Sequence, residues 1–223
     1  MVVLDPRTAI VAPTDVPVDP RRDPGSASPA TLVPVPRPPS DRPVRIADAA
    51  LELIAASGLH AVTHRTIDAR LEFPPGTTSY YARTRAELIA RALDLLIARF
   101  DEAMAGFPLE RVESDEQAID LITTVAMLLE GQENDQIARF VLLIDLRGDP
   151  ELHPLINSAS PGQQVVQGMA TALIARRGIP DAEQHATSLL ALVDGLMLAR
   201  LAGGSEVPIR PAVATYWAGM RAV

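Results

Sequence analysis

Eleven of the 20 prolines in this 223-residue chain lie between Met1 and Pro43, and the other nine are spread over 180 residues. Proline removes a backbone donor and restrains the residue before it, so Thr31-Leu-Val-Pro-Val-Pro-Arg-Pro-Pro-Ser40 can enter neither a helix nor the interior of a sheet. Residues 1–43 are therefore expected to form an extended, disordered tail, which leaves folding to the remainder. The first residues, Met1-Val-Val-Leu-Asp-Pro, carry no basic region and no long apolar run, which argues against a signal peptide.

After Pro43 the punctuation is that of consecutive helices. Ile46, Ala49, Ala50, Leu53 and Ile54 repeat at helical spacing and place one apolar stripe on one face, with Gly58 ending the segment. A short second helix is expected over Thr63 to Leu71. Pro74-Pro75-Gly76 forces a turn, and a short third helix is expected from there through Tyr80, with proline in its first turn. Six longer helices follow. Thr84-Arg-Ala-Glu87 opens one that reaches Ala105, and Ser114-Asp-Glu-Gln117 opens the next, which closes at Gly131. A helix from Asp135 to Arg147 precedes Gly148-Asp-Pro150. Ser160-Pro-Gly-Gln163 supplies an N-cap, a first-turn proline and a capping-box glutamine. The last two helices run from Asp181 to Ala202 and onward from Pro211. No strand alternation and no internal repeat is visible, and aromatics are only 4% against 48% hydrophobic residues overall. The fold class is therefore all-α, with about nine helices.

Composition removes several functions. All 20 basic residues are arginine and there is no cysteine. A P-loop, a Schiff-base lysine, a thiol nucleophile, a disulfide framework and a thiolate metal site are thus excluded. The net charge of −8 argues against nucleic acid as a partner for the chain as a whole, but it divides unevenly. Residues 1–43 are neutral, residues 44–100 carry +1 and residues 101–223 carry −9. The objection therefore applies to the last segment, and a DNA-reading part in the nearly neutral middle segment would work through a few placed arginines.

That segment carries a pattern. The order Arg45-Ile-Ala-Asp-Ala-Ala50, Leu53, Gly58, Thr63, Ile67, Gly76-Thr-Thr-Ser-Tyr-Tyr81, Thr84-Arg85 and Glu87-Leu88 resembles the DNA-binding domain of the TetR (tetracycline-repressor) family of transcriptional regulators. Helix, short helix, tight turn and short helix is independently a helix-turn-helix, whose last short helix can enter the major groove. The resemblance implies DNA contacts from Arg45, Thr63, His64, Pro75, Gly76, Thr77, Thr78, Tyr80, Tyr81 and Arg85. Thr63 would place a hydroxyl and free N–H groups at a phosphate, and Arg85, where the family usually has lysine, would clamp one. Asp68, Glu72, Ser79 and Ala82 depart from the family pattern. Glu72 stands in place of a turn glycine, so a left-handed backbone there would be strained. The resemblance divides the chain into a tail at 1–43, a helix-turn-helix domain at 44–88 and an effector-binding and dimerisation domain at 89–223.

For the last region the resemblance implies a small-molecule effector and a homodimer that reads a palindromic operator on double-stranded DNA. Candidate pocket walls are Val125, Leu128, Phe140, Ile144, Met169 and Leu173, although ordinary core is the competing reading for each. The stretch Ala186–Ala202 is apolar around nearly its whole circumference and must be covered on several sides. Leu189, Leu192, Val193, Leu196 and Met197, together with Trp217, are the candidate dimer interface.

An enzyme finds little support. His60 and His64 do not share a helical face, and Asp145, Asp149, Glu151 and His153 read as a solvated helix end without a nucleophile elbow or a phosphate loop. No metal, no cofactor and no catalytic residue is expected. The stretch Ala186–Ala202, interrupted by Asp194 and Arg200, is short for a bilayer span, so a cytoplasmic protein is expected. A helical interaction module whose helix-turn-helix no longer binds DNA is the competing function.

Overall fold

The computed structural model describes residues 41–104 and 109–222, and most of the expected tail at 1–43 lies outside the described residues. Among the described residues there are nine α-helices and no strand. Three helices come first, the second and third of them short: α1 (Arg42–Ser57), α2 (His64–Arg70) and α3 (Thr77–Tyr81). They are followed by α4 (Arg85–Met104), α5 (Asp115–Glu130), α6 (Glu133–Asp145), α7 (Pro161–Arg176), α8 (Ala182–Leu201) and α9 (Ile209–Ala222). Single 3-10 turns at Leu59–Ala61, Leu109–Arg111 and His153–Leu155 were not anticipated from sequence.

The caps explain most of the boundaries. Thr63 heads α2 and Ser114 heads α5, each in a reciprocal box with the residue three positions on. For α4, the Glu87 N–H donates to Thr84 Oγ1 at 3.0 Å, while the Glu87 carboxylate accepts from the Arg83 N–H rather than from that of Thr84. Ser160 caps α7 with Pro161 in its first turn, but the Gln163 side chain lines a cavity instead of closing the box. Three expected starts shift. Pro43 sits inside the first turn of α1, α6 begins at Glu133, and Pro74 and Pro75 precede α3 rather than entering it. In the last case Gly76, at φ 88°, is the N-cap, a left-handed conformation that glycine takes without strain.

The packing joins the first helices to the rest. Ile46, Ala50 and Ile54 of α1 share one cluster with Ile67 of α2, Leu88, Leu93 and Leu96 of α4, and Ala138 and Leu142 of α6. A second cluster gathers α5, α7, α8 and α9 around Trp217, Ile174, Leu189 and Val213. Met104, Leu129, Phe140 and Met197 form a third cluster, drawn from α4, α5, α6 and α8. Helix α1 thus packs on both α4 and α6, and Arg99 of α4 adds a polar tie to both neighbours, 2.6 Å from Asp48 of α1 and 2.9 Å from Asp135 of α6.

Candidate DNA-binding face and effector cavity

Asp68, which sequence reading set aside as a departure, organises the turn between α2 and α3. It is buried, and its carboxylate accepts from the Gly76 N–H at 2.8 Å, the Thr78 N–H at 2.8 Å and the Thr78 hydroxyl at 2.6 Å. An acidic side chain from α2 therefore caps the N-terminus of α3 across the turn. Burial pushes its carboxyl up, but the Thr78 and Gly76 bonds outweigh burial and hold it below the usual carboxylate range. Capping rules look three residues ahead, and this cap lies eight to ten residues away, which is why local signals missed it.

Glu72 takes the left-handed backbone that was feared, at φ 54°. The Phe73 N–H reaches the Asp68 carbonyl at 2.8 Å and the Glu72 N–H reaches that of Ala69 at 3.3 Å, the bond pair of a Schellman termination with glutamate in the glycine position. Phe73, just beyond it, is half-buried and lies beneath two guanidinium groups, Arg45 at 5.0 Å and Arg42 at 5.5 Å. Arg45 is exposed there.

Several expected DNA contacts are partly engaged within the protein. Thr78 is completely buried, so its side chain is removed from the list of contacts. The Thr63 N–H donates to Thr66 Oγ1 and is engaged, whereas the Thr63 hydroxyl accepts from the Thr66 N–H and keeps its own proton for Thr66 Oγ1 or for a phosphate. His64 Nε2 lies 2.7 Å from the Ala82 carbonyl and ties α2 to the end of α3. The Thr77 hydroxyl donates to the Pro74 carbonyl. Arg85 donates from Nη2 to the Leu59 carbonyl at 2.7 Å and from Nε to that of Val62 at 3.3 Å, bracing the loop between α1 and α2. Pro75 and Gly76 are exposed, and the two tyrosines divide. Tyr80 is 81% exposed, while Tyr81 leans on the core and meets the Tyr80 ring edge-on at 5.1 Å. Arg65 and Arg83 are both exposed, and neither forms an ion pair among the described residues. Arg65, in the first turn of α2, could have been found as the next outward position after the Thr63 cap.

Between α4, α5, α7 and α8 lies a cavity of about 190 Å³. Of the expected walls, Val125, Met169 and Leu173 line it. Leu128 and Ile144 are corrections, turned outward at 41% and 56% exposure, and Phe140 is buried in the third cluster without lining the cavity. Helix α4 supplies walls that sequence reading missed, among them Leu93, Leu96 and Phe100.

The dimer assignment also changes. Leu189, Met197 and Trp217 are buried within the chain, which removes them from the candidate interface, and half-buried Val193 lines the cavity. Leu196 packs on the second cluster, and Leu192 is half-buried. The outward faces are instead small: Ser188, Ala191 and Gly195 beside Leu198 on α8, and Thr215, Ala218, Gly219 and Ala222 on α9.

Among the described residues no group of three or more His, Asp or Glu side chains is placed to hold a metal, and no helix is long and apolar enough to cross a membrane. Asp149, one of the acids weighed as catalytic, caps its own loop by accepting from the N–H groups of Glu151 and Leu152.

A helix-turn-helix braced on α4, with an apolar cavity against the same helix, defines a regulator of the helix-turn-helix class. The chain belongs to the TetR family of transcriptional regulators: residues 113–222 match the tetracyclin repressor-like C-terminal domain. Members of this family are non-enzymatic transcription factors, as the sequence reading expected. Solved structures agree in fold. A transcriptional regulator from Rhodococcus sp. Rha1 is 22% identical with a TM-score of 0.66, over 80% of this chain and 95% of that one. A TetR-family member from Streptomyces coelicolor A3 is 24% identical with a TM-score of 0.61, over 80% and 96%. The multidrug binding protein EbrR, in complex with ethidium, is 26% identical with a TM-score of 0.56, over 78% and 96%. No curated protein matches the chain by sequence.

Proposed function

We propose that the protein is a cytoplasmic, ligand-responsive repressor that binds a palindromic operator as a homodimer, with residues 44–88 as its reading head and residues 89–223 as its effector-binding and dimerising body. The observation that carries this reading is that Leu93 and Leu96 of α4 belong both to the head's core and to the cavity wall. A molecule that enters the cavity must move or brace the helix on which the head is built, and a coupling of ~1 to 3 kcal/mol is typical of such linkage. The multidrug binding of EbrR supports the cavity as the effector site. The small outward faces of α8 and α9 allow close helix approach and support a two-fold four-helix contact, with Leu192 and Leu198 at its apolar parts.

On DNA, Tyr80, Pro75 and Gly76 face the groove, and Arg45, Arg65 and Arg83 meet phosphates. Fluorescence anisotropy with the DNA beside the protein's own gene, over a series of salt concentrations, tests this reading. Affinity should fall steeply with salt, and Arg65→Ala and Arg83→Ala should each lower the salt slope by about 1. The competing module that no longer binds DNA draws on the internal engagement of Thr78 and Arg85, and it would prevail if no fragment bound at low salt.

A further inference from the structure

The cavity wall holds a pattern of charge that bears on what can occupy it. Among the described residues that line it, only Arg139 of α6 and Asp194 of α8 are charged, and they are paired with each other at 2.6 Å from Nη2 and 3.4 Å from Nη1. Both are partly buried. A cationic guest at Asp194 would share the carboxylate with Arg139, and an anionic guest at Arg139 would share the guanidinium with Asp194, so each charge meets a guest already balanced by its partner. A charged guest beside the pair brings one net charge into a largely apolar cavity, and its desolvation is not returned by a contact with a group already neutralised.

The remaining polar groups are neutral, and two of them lack partners. Gln136 is only 3% exposed, and its Oε1 accepts from Arg139 Nε at 3.0 Å. That bond fixes the orientation of the amide, so the Nε2 group stands as a double donor for which no acceptor is found among the described residues. It is not sealed in protein, since it is not among the fully enclosed, unpartnered side-chain polar atoms of the described residues. The Gln136 amide therefore opens onto the cavity it lines. Ser160 is 5% exposed and also lines the cavity. Its Oγ accepts from the Gln163 N–H, and its hydroxyl proton has no acceptor among the described residues. Two buried donors facing one apolar space call for an acceptor on whatever fills it.

We propose that the cavity takes an uncharged, largely apolar molecule bearing a hydrogen-bond acceptor of the carbonyl or ether kind, seated by the Gln136 amide, and that it discriminates against cations and anions of the same skeleton. This rests on the cavity being the effector site. It also separates this protein from EbrR, whose ethidium ligand is a cation.

The test uses the full chain and four probes on one skeleton: 2-acetylnaphthalene, 2-ethylnaphthalene, 2-naphthylmethylammonium and 2-naphthoate. Binding is read by calorimetry, and Val125→Trp, which fills the cavity, serves as the control of location. Acetylnaphthalene is expected to bind at least tenfold tighter than each of the others. Gln136→Leu should bring the acetyl and ethyl probes to within about twofold of each other. Gln136→Glu, which puts a second carboxylate on Arg139 and leaves the wall with one negative charge in excess, should turn the preference towards the ammonium probe. Either charged probe binding wild type as tightly as the ketone overturns the proposal and leaves the effector site standing, as does an acetyl advantage that survives Gln136→Leu. If none of the four binds, or if binding is unaffected by Val125→Trp, the effector-site reading falls and the proposal falls with it.

Discussion

Between Thr63 and Arg85 the polar side chains bond mainly to backbone, whereas α4 to α9 are joined mainly by arginine and carboxylate side chains bonded to each other. In the head, Asp68, Thr63, Thr66, His64 and Arg85 each engage an N–H or a carbonyl of a neighbouring turn. In the body, Arg139 meets Asp194, Arg200 meets Glu130, and Asp115 is shared by Arg177 and Arg221. Helices of five and seven residues cannot persist on propensity alone, and their orphan donors must be satisfied by side chains. Long helices satisfy themselves, and their side chains are left to fix how the helices sit against each other. The head is therefore expected to fail locally when one polar group is lost, and the body to loosen gradually.

The largest effect is expected at Asp68. Asp68→Ala leaves two N–H groups and the Thr78 hydroxyl without their acceptor at a buried site, which should cost about 3 kcal/mol in chemical denaturation and abolish DNA binding. Amide exchange should rise first at Gly76 and Thr78 while α5 and α9 stay protected. Uniform loss of protection across both regions would show that head and body are not energetically distinct.

Next comes Arg99, the residue that joins them. Burial and the nearby Asp48 carboxylate push the Asp135 carboxyl up despite Arg99, so Arg99→Met leaves a buried acid that must take up a proton or open the site. Partial exposure on the Asp48 side tempers the loss to about 2 kcal/mol. Calorimetry should then show a broader unfolding transition for Arg99→Met than for wild type, as α1 loses its polar tie to α4 and α6.

Which parts were visible in advance follows the same division. The stripe of α1, the start of α2 beside Thr63 and the Ser114 box are local patterns, and each lies within a residue or two of its expected place. What local pattern cannot carry is the identity of the partner. Helix α8 is apolar on nearly every side, and a periodicity so full says only that it is covered, not by what. Most of its large residues face its own core and the cavity, while Ser188, Ala191 and Gly195 face outward beside Leu198. The Thr78 hydroxyl looked available on a glycine-led turn, but the buried carboxylate of Asp68 claims it.

A pH series sharpens the contrast in the body. The bond to Arg221 is the main influence holding the Asp115 carboxyl down at about 2; burial opposes it and Arg177 adds to it. Because the folded value lies below the ordinary value of 3.8, the contribution is complete above about pH 4 and fades as pH falls towards 2. The difference in Tm between wild type and Asp115→Asn should therefore be constant from pH 5 to 7 and shrink below pH 4. A difference that grew on acidification would reverse the assignment.

The smallest effect is a gain. Glu72 holds φ 54° at the end of α2, where a side chain pays about 1 kcal/mol that glycine does not. The bond pair that ends α2, from the Phe73 and Glu72 N–H groups to the Asp68 and Ala69 carbonyls, uses backbone alone, so Glu72→Gly keeps it. The added freedom of glycine in the unfolded chain offsets part of the relief, leaving a rise of a few tenths to about 1 kcal/mol. Glu72 is exposed and its carboxylate faces no cation at bonding distance among the described residues, so its removal also takes one negative charge from the head. DNA affinity at low salt should then rise a few-fold, with the gain vanishing at high salt. Unchanged affinity alongside raised stability would place Glu72 away from the duplex, and unchanged stability would mean that the turn relaxes around glutamate without strain.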